Sequence, residues 1–336
     1  MESFLVGTRG SRLALTQTTG AAEALAAYSG ADFELITIRS EGDVLTGPLS
    51  QLGGTGVFAA ALRSALFDGR CDVAVHSLKD LPAKDLEGLS VAAVPVRAEV
   101  RDALCSAGDL PLDRLPQGAK VGTGSPRRRA QLLAARPDLE VIDIRGNVGT
   151  RLARVRGRED AAETSTQAPD AARGDLDAVV LAGAGLQRLG LDAQISELVD
   201  PEVMLPAPGQ GALAVEVRAA EAGPEAPLGP ALERCDDFAA RVETTAERAM
   251  LARLNAGCSA PIGGLARLDE VAGVLRLHSQ VCAPDGSRTQ AAEASVEMTP
   301  EAPRAAAVAL AAQLGATVAE QLLAEDFGLL AHVVDT

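Results

Sequence analysis

Apolar positions fall into two rhythms along the chain. Phe4-Leu5-Val6 reads as a strand, and residues 12–28 carry helical spacing that stops near Gly30. Residues 33–39 read as a strand, 57–67 as a helix, 73–75 as a short buried strand and 89–94 as another. Strands alternating with helices predict a largely parallel α/β sheet. The rhythm then repeats: strand 119–121, helix 126–135, strand 140–144, a helix starting over 150–156, and strand 177–181. The polar stretch 158–174 reads as a mobile loop or insertion. Leu205-Pro206-Ala207-Pro208-Gly209 breaks the pattern before a strand at 212–217, and 223–230, with three prolines, reads as a linker. A third unit begins near Cys235. It has a helix at 244–254, strands near 265–268, 274–279 and 292–298, and a helix at 303–325.

The length of 336 residues calls for two or three domains. An apolar content of 47% with 23% charged residues is ordinary for a soluble globular chain and excludes disordered and fibrous classes. No uninterrupted apolar run approaches the roughly 18–20 residues of a membrane span. Arg9 and Arg12 precede any long apolar stretch, so the N-terminus does not read as a signal peptide and the expected location is the cytoplasm. The five cysteines form no CxxC pair, and with three histidines no metal site is expected. A net charge of −15 argues against nucleic acid or an anionic membrane as a partner. Residues 120–158 depart from this: ten bases against three acids leave +7 inside an acidic protein.

Two segments share a design suited to anions. Residues 4–11 run strand, glycine turn and helix start, with Arg9 in the turn and Ser11 as N-cap; residues 120–128 do the same, with Ser125 as N-cap and Pro126 at the first helical position. Free N–H groups and the positive dipole end of a helix attract anions, and an adjacent arginine can close a bidentate grip. Either segment by itself reads sooner as a well-capped helix with solvated arginines; both together, with the local charge excess, favour an anion site. A third, residues 144–151, has Arg145 and Arg151 at the ends of a glycine-rich loop but is neither a Walker A loop nor a dinucleotide fingerprint. The strand at 73–75 delivers Ser77, Lys79 and Asp80 to its carboxyl end, where α/β proteins bind ligands. Asp80 is the acid–base candidate, against a plain surface Lys–Asp pair; a Schiff-base role for Lys79 is the lesser option. Cys258, in a loop of small residues, reads either as an inert thiol or as a nucleophile or attachment point.

Nine segments in order resemble the porphobilinogen deaminase (hydroxymethylbilane synthase) family: GTRGSRLAL (7–15), GGTGVF (53–58), VAVHSLKDLP (73–82), VGTGSPRR (121–128), IRGNVGTRL (144–152), AGLQRLGL (184–191), LPAPGQGAL (205–213), TAERAML (245–251) and NAGCSAPIG (255–263). The resemblance implies an α/β fold of three domains. Domains 1 (1–97 plus 212–230) and 2 (98–211) would be like type II periplasmic binding proteins. Domain 3 (234–336) would be a small α+β unit with an antiparallel sheet covered by helices. It implies a transferase of tetrapyrrole biosynthesis, monomeric, that joins four porphobilinogen molecules head to tail with loss of ammonia and releases hydroxymethylbilane by hydrolysis. The chain would grow on a dipyrromethane cofactor bound through Cys258. Each pyrrole brings an acetate and a propionate, and the family's carboxylate-binding arginines match Arg9, Arg127, Arg128, Arg145, Arg151 and Arg188. Ser11, Ser77, Lys79, Thr123, Ser125 and Gln210 match cofactor or substrate contacts. Asp80 matches the catalytic aspartate, expected as a buried anion beside an arginine-walled cleft. Gln51 and Thr55 stand where many members carry lysine. The alternatives are a non-catalytic two-lobed protein that holds a small polyanion and a pyridoxal-phosphate enzyme using Lys79.

Overall fold

A computed structural model describes residues 2–38, 57–158, 173–257, 260–298, 303–324 and 329. Gln51, Thr55, Cys258 and most of the 158–174 stretch lie outside the described residues.

The first sheet comprises β1 (Ser3–Thr8), β2 (Asp32–Thr37), β3 (Val73–Ser77), β4 (Leu89–Ala93) and β10 (Leu213–Arg218), in the order β2-β1-β3-β10-β4. The second comprises β5 (Asp102–Ser106), β6 (Lys120–Gly122), β7 (Glu140–Ile142), β8 (Ala178–Ala182) and β9 (Glu197–Leu198), in the order β7-β6-β8-β5-β9. Both are largely parallel, as expected, with one reversed strand in each. β1 pairs parallel with β2 and β3, whereas β10 runs antiparallel to β3 and β4. β6 is parallel to β7 and β8, and β5 is antiparallel to β8 and β9. The reversal follows from the path of the chain. It crosses to the second sheet through residues 94–101 and returns through 205–212, so the strand after each crossing enters against its neighbours.

Helices α1 (Arg12–Ser29) and α6 (Gly229–Cys235) cover one face of the first sheet, where Phe4, Val6, Leu25, Val75, Val215 and Leu232 form a core. α2 (Val57–Phe67) covers the other through Leu62, Ala65 and Leu66. The second sheet is buried on both faces. Leu104 joins one core while its neighbours Ala103 and Cys105 join the other. A strand buried on both sides shows no alternation, which is why β5 leaves no mark in the apolar pattern. Local rules placed the helices well where caps are strong. Ser11 accepts from Ala14 N at the start of α1, and Gly30 closes that helix with φ 70°. Ser125 accepts from Arg128 N ahead of α3 (Pro126–Ala135).

Three expectations are corrected. The helix expected to start over 150–156 is α4 (Val148–Leu152), one turn capped by Asn147. The expected linker at 223–230 ends in α6, with Pro230 in its first turn. The helix expected at 244–254 is α7 (Phe238–Arg253), capped by Asp237. Its first turns escape notice because the buried Glu243 interrupts the apolar stripe.

The third unit is an antiparallel meander of β11 (Ile262–Asp269), β12 (Val274–Cys282) and β13 (Thr289–Glu297), covered by α7 and α8 (Arg304–Ala324). α8 is long and apolar enough to cross a membrane by composition. It instead buries Ala307, Ala311, Leu314, Val318 and Leu322 in this core, and a methyl at Gly315 would collide with the Ala246 carbonyl of α7.

Candidate active site

Because β1 and β3 are parallel neighbours, they end at the same edge of the first sheet. β1 delivers Arg9 and the cap Ser11, and β3 delivers Ser77 and a single 3₁₀ turn of Leu78, Lys79 and Asp80. Arg9, Ser11, Gln17, His76, Ser77 and Asp80 line a small cleft of about 110 Å³, bounded by Ala59 and Leu62 of α2. Gln17 of α1 accepts from the Ser77 hydroxyl at 3.1 Å. Thr18 donates to the buried Thr8 hydroxyl at 2.8 Å, which pins α1 to its strand. Asp80 is exposed on the rim. The expectation of Asp80 as a buried anion is therefore corrected.

The buried anion is Asp102, at the first position of β5 and fully enclosed. Arg128 donates to its Oδ1 through Nε at 2.9 Å and Nη2 at 2.7 Å, and Arg127 donates to Oδ2 through Nη2 at 2.8 Å. Both arginines are themselves buried. Arg127 Nη1 also reaches the Leu205 carbonyl, and Arg128 Nη1 that of Val180 at 3.1 Å. Gln210, wholly buried, donates to Asp102 Oδ1 at 2.9 Å and Val100 O at 2.7 Å while its own oxygen accepts from Lys79 Nζ at 3.2 Å. One chain of hydrogen bonds thus runs from the first sheet, through the return crossing, to the second sheet.

Charge in the cluster follows from this packing. Burial works against ionisation of Asp102, but the two guanidinium charges and the hydrogen bonds from Arg128 and Gln210 outweigh it and hold the carboxyl well below its usual range. Burial likewise pushes the Lys79 amine down to about 8, with Asp80 and Asp102 opposing and Arg127 and Arg128 adding to the fall. Arg151 is lowered to about 10 by burial and by Arg128 and Arg145, with Asp143 and Asp80 pulling the other way. It donates to Gly146 O at 2.8 Å. Arg188 donates to Gly211 O at 2.7 Å, on the return crossing. Arg145 is exposed. Thr123 is buried and accepts from Ser125 N at 3.2 Å, a contact that shapes the turn ahead of α3.

The sequence cluster of ten bases is largely consumed by ion pairs, most of them with acids distant in sequence. Arg136 pairs with Asp138, Arg154 with Asp175, Arg156 with Asp177 and Arg158 with Asp109. Arg127 and Arg128 are held by Asp102. Asp102 itself was missed. Its signal is a carboxylate opening the apolar run Ala103-Leu104-Cys105, a position tolerated only with a partner.

The third unit grips the return crossing. Glu247 of α7 accepts from Gly209 N at 2.6 Å and Ala266 N at 2.8 Å, and its carboxylate forks Arg97 of the outward crossing at 2.8 and 2.9 Å. Arg97 Nε donates to Gln210 O at 2.9 Å. Burial opposes the Arg97 charge, yet Glu247 and Glu243 raise its pKa above the ordinary value. Gly264 N bonds Pro206 O at 3.0 Å. α7 is followed by Asn255, at φ 51°, and β11 begins at Ile262, two residues before Gly264.

The residues present suit an anionic group that carries several carboxylates. Lys79, Arg127 and Arg128 against Asp102 leave two formal positive charges, and Arg127 Nε is buried with no hydrogen-bond partner among the described residues. A buried guanidinium N–H left unpaired is costly unless a ligand satisfies it. No group of three or more metal-ligating side chains occurs among the described residues.

Fold and site together define a class: a two-lobed α/β protein with a cationic, hydrogen-bonded junction between its lobes and a third unit clamped on the crossings. A family model for porphobilinogen deaminase, dipyromethane cofactor binding domain, matches residues 4–225, and one for the porphobilinogen deaminase C-terminal domain matches residues 242–324. The porphobilinogen deaminase of Micrococcus luteus is 55% identical over 99% of this chain and 96% of its own length. That of Cutibacterium acnes is 51% identical over 96% and 95%. A periplasmic substrate-binding protein of an ABC transporter from Coxiella burnetii aligns with a TM-score of 0.41 at 14% identity, over 68% of this chain and 90% of its own. The chain belongs to the porphobilinogen deaminase family.

Proposed function

We propose that this chain is a transferase that condenses four porphobilinogen molecules head to tail, expelling ammonia at each addition, and releases hydroxymethylbilane by hydrolysis. The observation that carries the reading is the junction that links Lys79, beside Asp80 at the end of β3, through Gln210 and Asp102 to Arg127 and Arg128 of α3. A dipyrromethane group, bound through Cys258, supplies the free pyrrole α-carbon to which new units are joined. Lys79, Arg127, Arg128, Arg145, Arg151 and Arg188 hold ring carboxylates. Arg9, Ser11, Ser77, Thr123 and Ser125 complete the contacts with cofactor and substrate, and Gln210, wholly buried, acts on them through Lys79.

Asp80, exposed on the rim of the cleft, is free to approach the pyrrole N–H of an incoming unit. Its carboxylate opposes the positive charge that develops as ammonia departs. Electrostatic stabilisation by a placed carboxylate is commonly a large catalytic term. The cationic junction offsets the charge of the growing polyanion, which an acidic protein of net charge −15 could not do by its overall field.

The domain division follows from this reading: 1–97 with 212–230, then 98–211, then 234–336. The protein acts as a monomer in the cytoplasm on porphobilinogen and the growing chain, without nucleic acid or membrane. Incubating the purified protein with porphobilinogen and detecting hydroxymethylbilane tests the activity. Intact mass spectrometry with peptide mapping tests the attachment and should find an excess of two pyrrole units on Cys258. Turnover by a chain unmodified at Cys258 would refute the attachment.

A further inference from the structure

Lys79 ends β3 on one lobe, Arg127 and Arg128 open α3 on the other, and Gln210 lies on the return crossing between them. Like charges brought this close repel, and each guanidinium on its long side chain has many rotamers. Asp102 counters both effects. Its two oxygens take three N–H bonds from the arginines and one from Gln210, and Gln210 passes the alignment to Lys79 through its carboxamide oxygen. A neutral amide is the suited relay, since it donates to a carboxylate at one end and accepts from an ammonium at the other. None of these bonds requires a ligand.

We propose that Asp102 and Gln210 are positioning residues that set the orientation and charge of Lys79, Arg127 and Arg128, so that cations from both lobes meet the carboxylates of the oligopyrrole as one preorganised surface. This rests on the condensation activity for its kinetic consequences but not for the charge on Lys79. The charged groups that face Lys79 are Asp80 on its own turn, Arg127 and Arg128 from α3, and Asp102 from β5. Replacing Asp102 by Asn removes a stabilising negative charge and lowers the Lys79 titration midpoint from about 8. Replacing Gln210 by Glu places a carboxylate against Nζ and raises it.

The chain has three lysines, and Lys84 and Lys120 are exposed. Carbon-13 methylation of the full-length protein therefore gives three lysine signals, assigned with Lys84→Arg and Lys120→Arg. The Lys79 midpoint should fall in Asp102→Asn and rise in Gln210→Glu, with the other two signals unmoved. In kinetics on porphobilinogen, Asp102→Asn should raise KM about tenfold or more, because buried charge-assisted bonds are lost, and the alkaline limb of kcat/KM should follow the Lys79 midpoint in each variant. A midpoint unmoved in both variants overturns the inference. So does a shifted midpoint in Asp102→Asn with unchanged KM. Should Asp102→Asn fail to fold, the direction of the Gln210→Glu shift decides. A wild-type protein without turnover overturns the proposed activity instead, and the titration still reports on the network.

Discussion

Glu247→Gln is the substitution that bears most directly on how the third unit is held. The wild-type carboxylate is fully buried and accepts four hydrogen bonds: two from Arg97, one from Gly209 N and one from Ala266 N. A glutamine of the same shape keeps one oxygen, so its NH2 must face two donors whichever way it turns. It also removes a countercharge from Arg97, whose side chain is 5% exposed. Breaking a buried pair from one side costs about 3–5 kcal/mol. Glu243 still bonds Arg97 at 3.1 Å and keeps the loss near the lower end. The assay is urea denaturation followed by circular dichroism on the wild type, Glu247→Gln, Arg97→Met and the double variant. Each single variant should lose about 3 kcal/mol or more, and the double should cost little beyond the worse single, because neither charge is then left alone. Hydrogen exchange should show lost protection at Gly209 and Ala266. Costs that simply add in the double variant, or a Glu247→Gln loss below about 1 kcal/mol, would refute the reasoning.

Asp80→Ala should keep the wild-type melting profile, since its side chain is exposed, yet slow turnover by about 100-fold or more; near-normal turnover removes Asp80 from the chemistry. The Lys79 amine, lowered to about 8, is charged at pH 7 and loses its proton as pH rises through that value. The grip on carboxylates therefore weakens on the alkaline side, and KM for porphobilinogen should climb above pH 8 with kcat less affected; a KM flat across that range contradicts this. Ser125→Ala removes the side-chain cap of α3 and should cost about 1 kcal/mol in denaturant titration, whereas no loss would mean that the turn is held by Thr123 and Pro126 without it.

The sequence by itself determined the local events. α1, α2 and α3 were placed to within a residue, because their caps, their glycine stop and their apolar spacing are contained in a few neighbouring positions. It also marked Arg9, Ser77, Lys79, Asp80, Arg127, Arg128 and Arg151 as a set, because their ordered motifs resemble a family. It did not show that Arg127 and Arg128 are held by Asp102, that Glu216 of β10 is enclosed with Arg63 at 2.8 Å, or that Glu247 fastens both crossings. Those pairs join residues 25 to 153 positions apart, and no local pattern encodes which distant charge will meet a buried one. A buried carboxylate is tolerated only with its partner, and the partner is chosen by the antiparallel entry of β5 and β10 and by the docking of α7. Tertiary structure thus decided which arginines are tied into the fold by a buried acid.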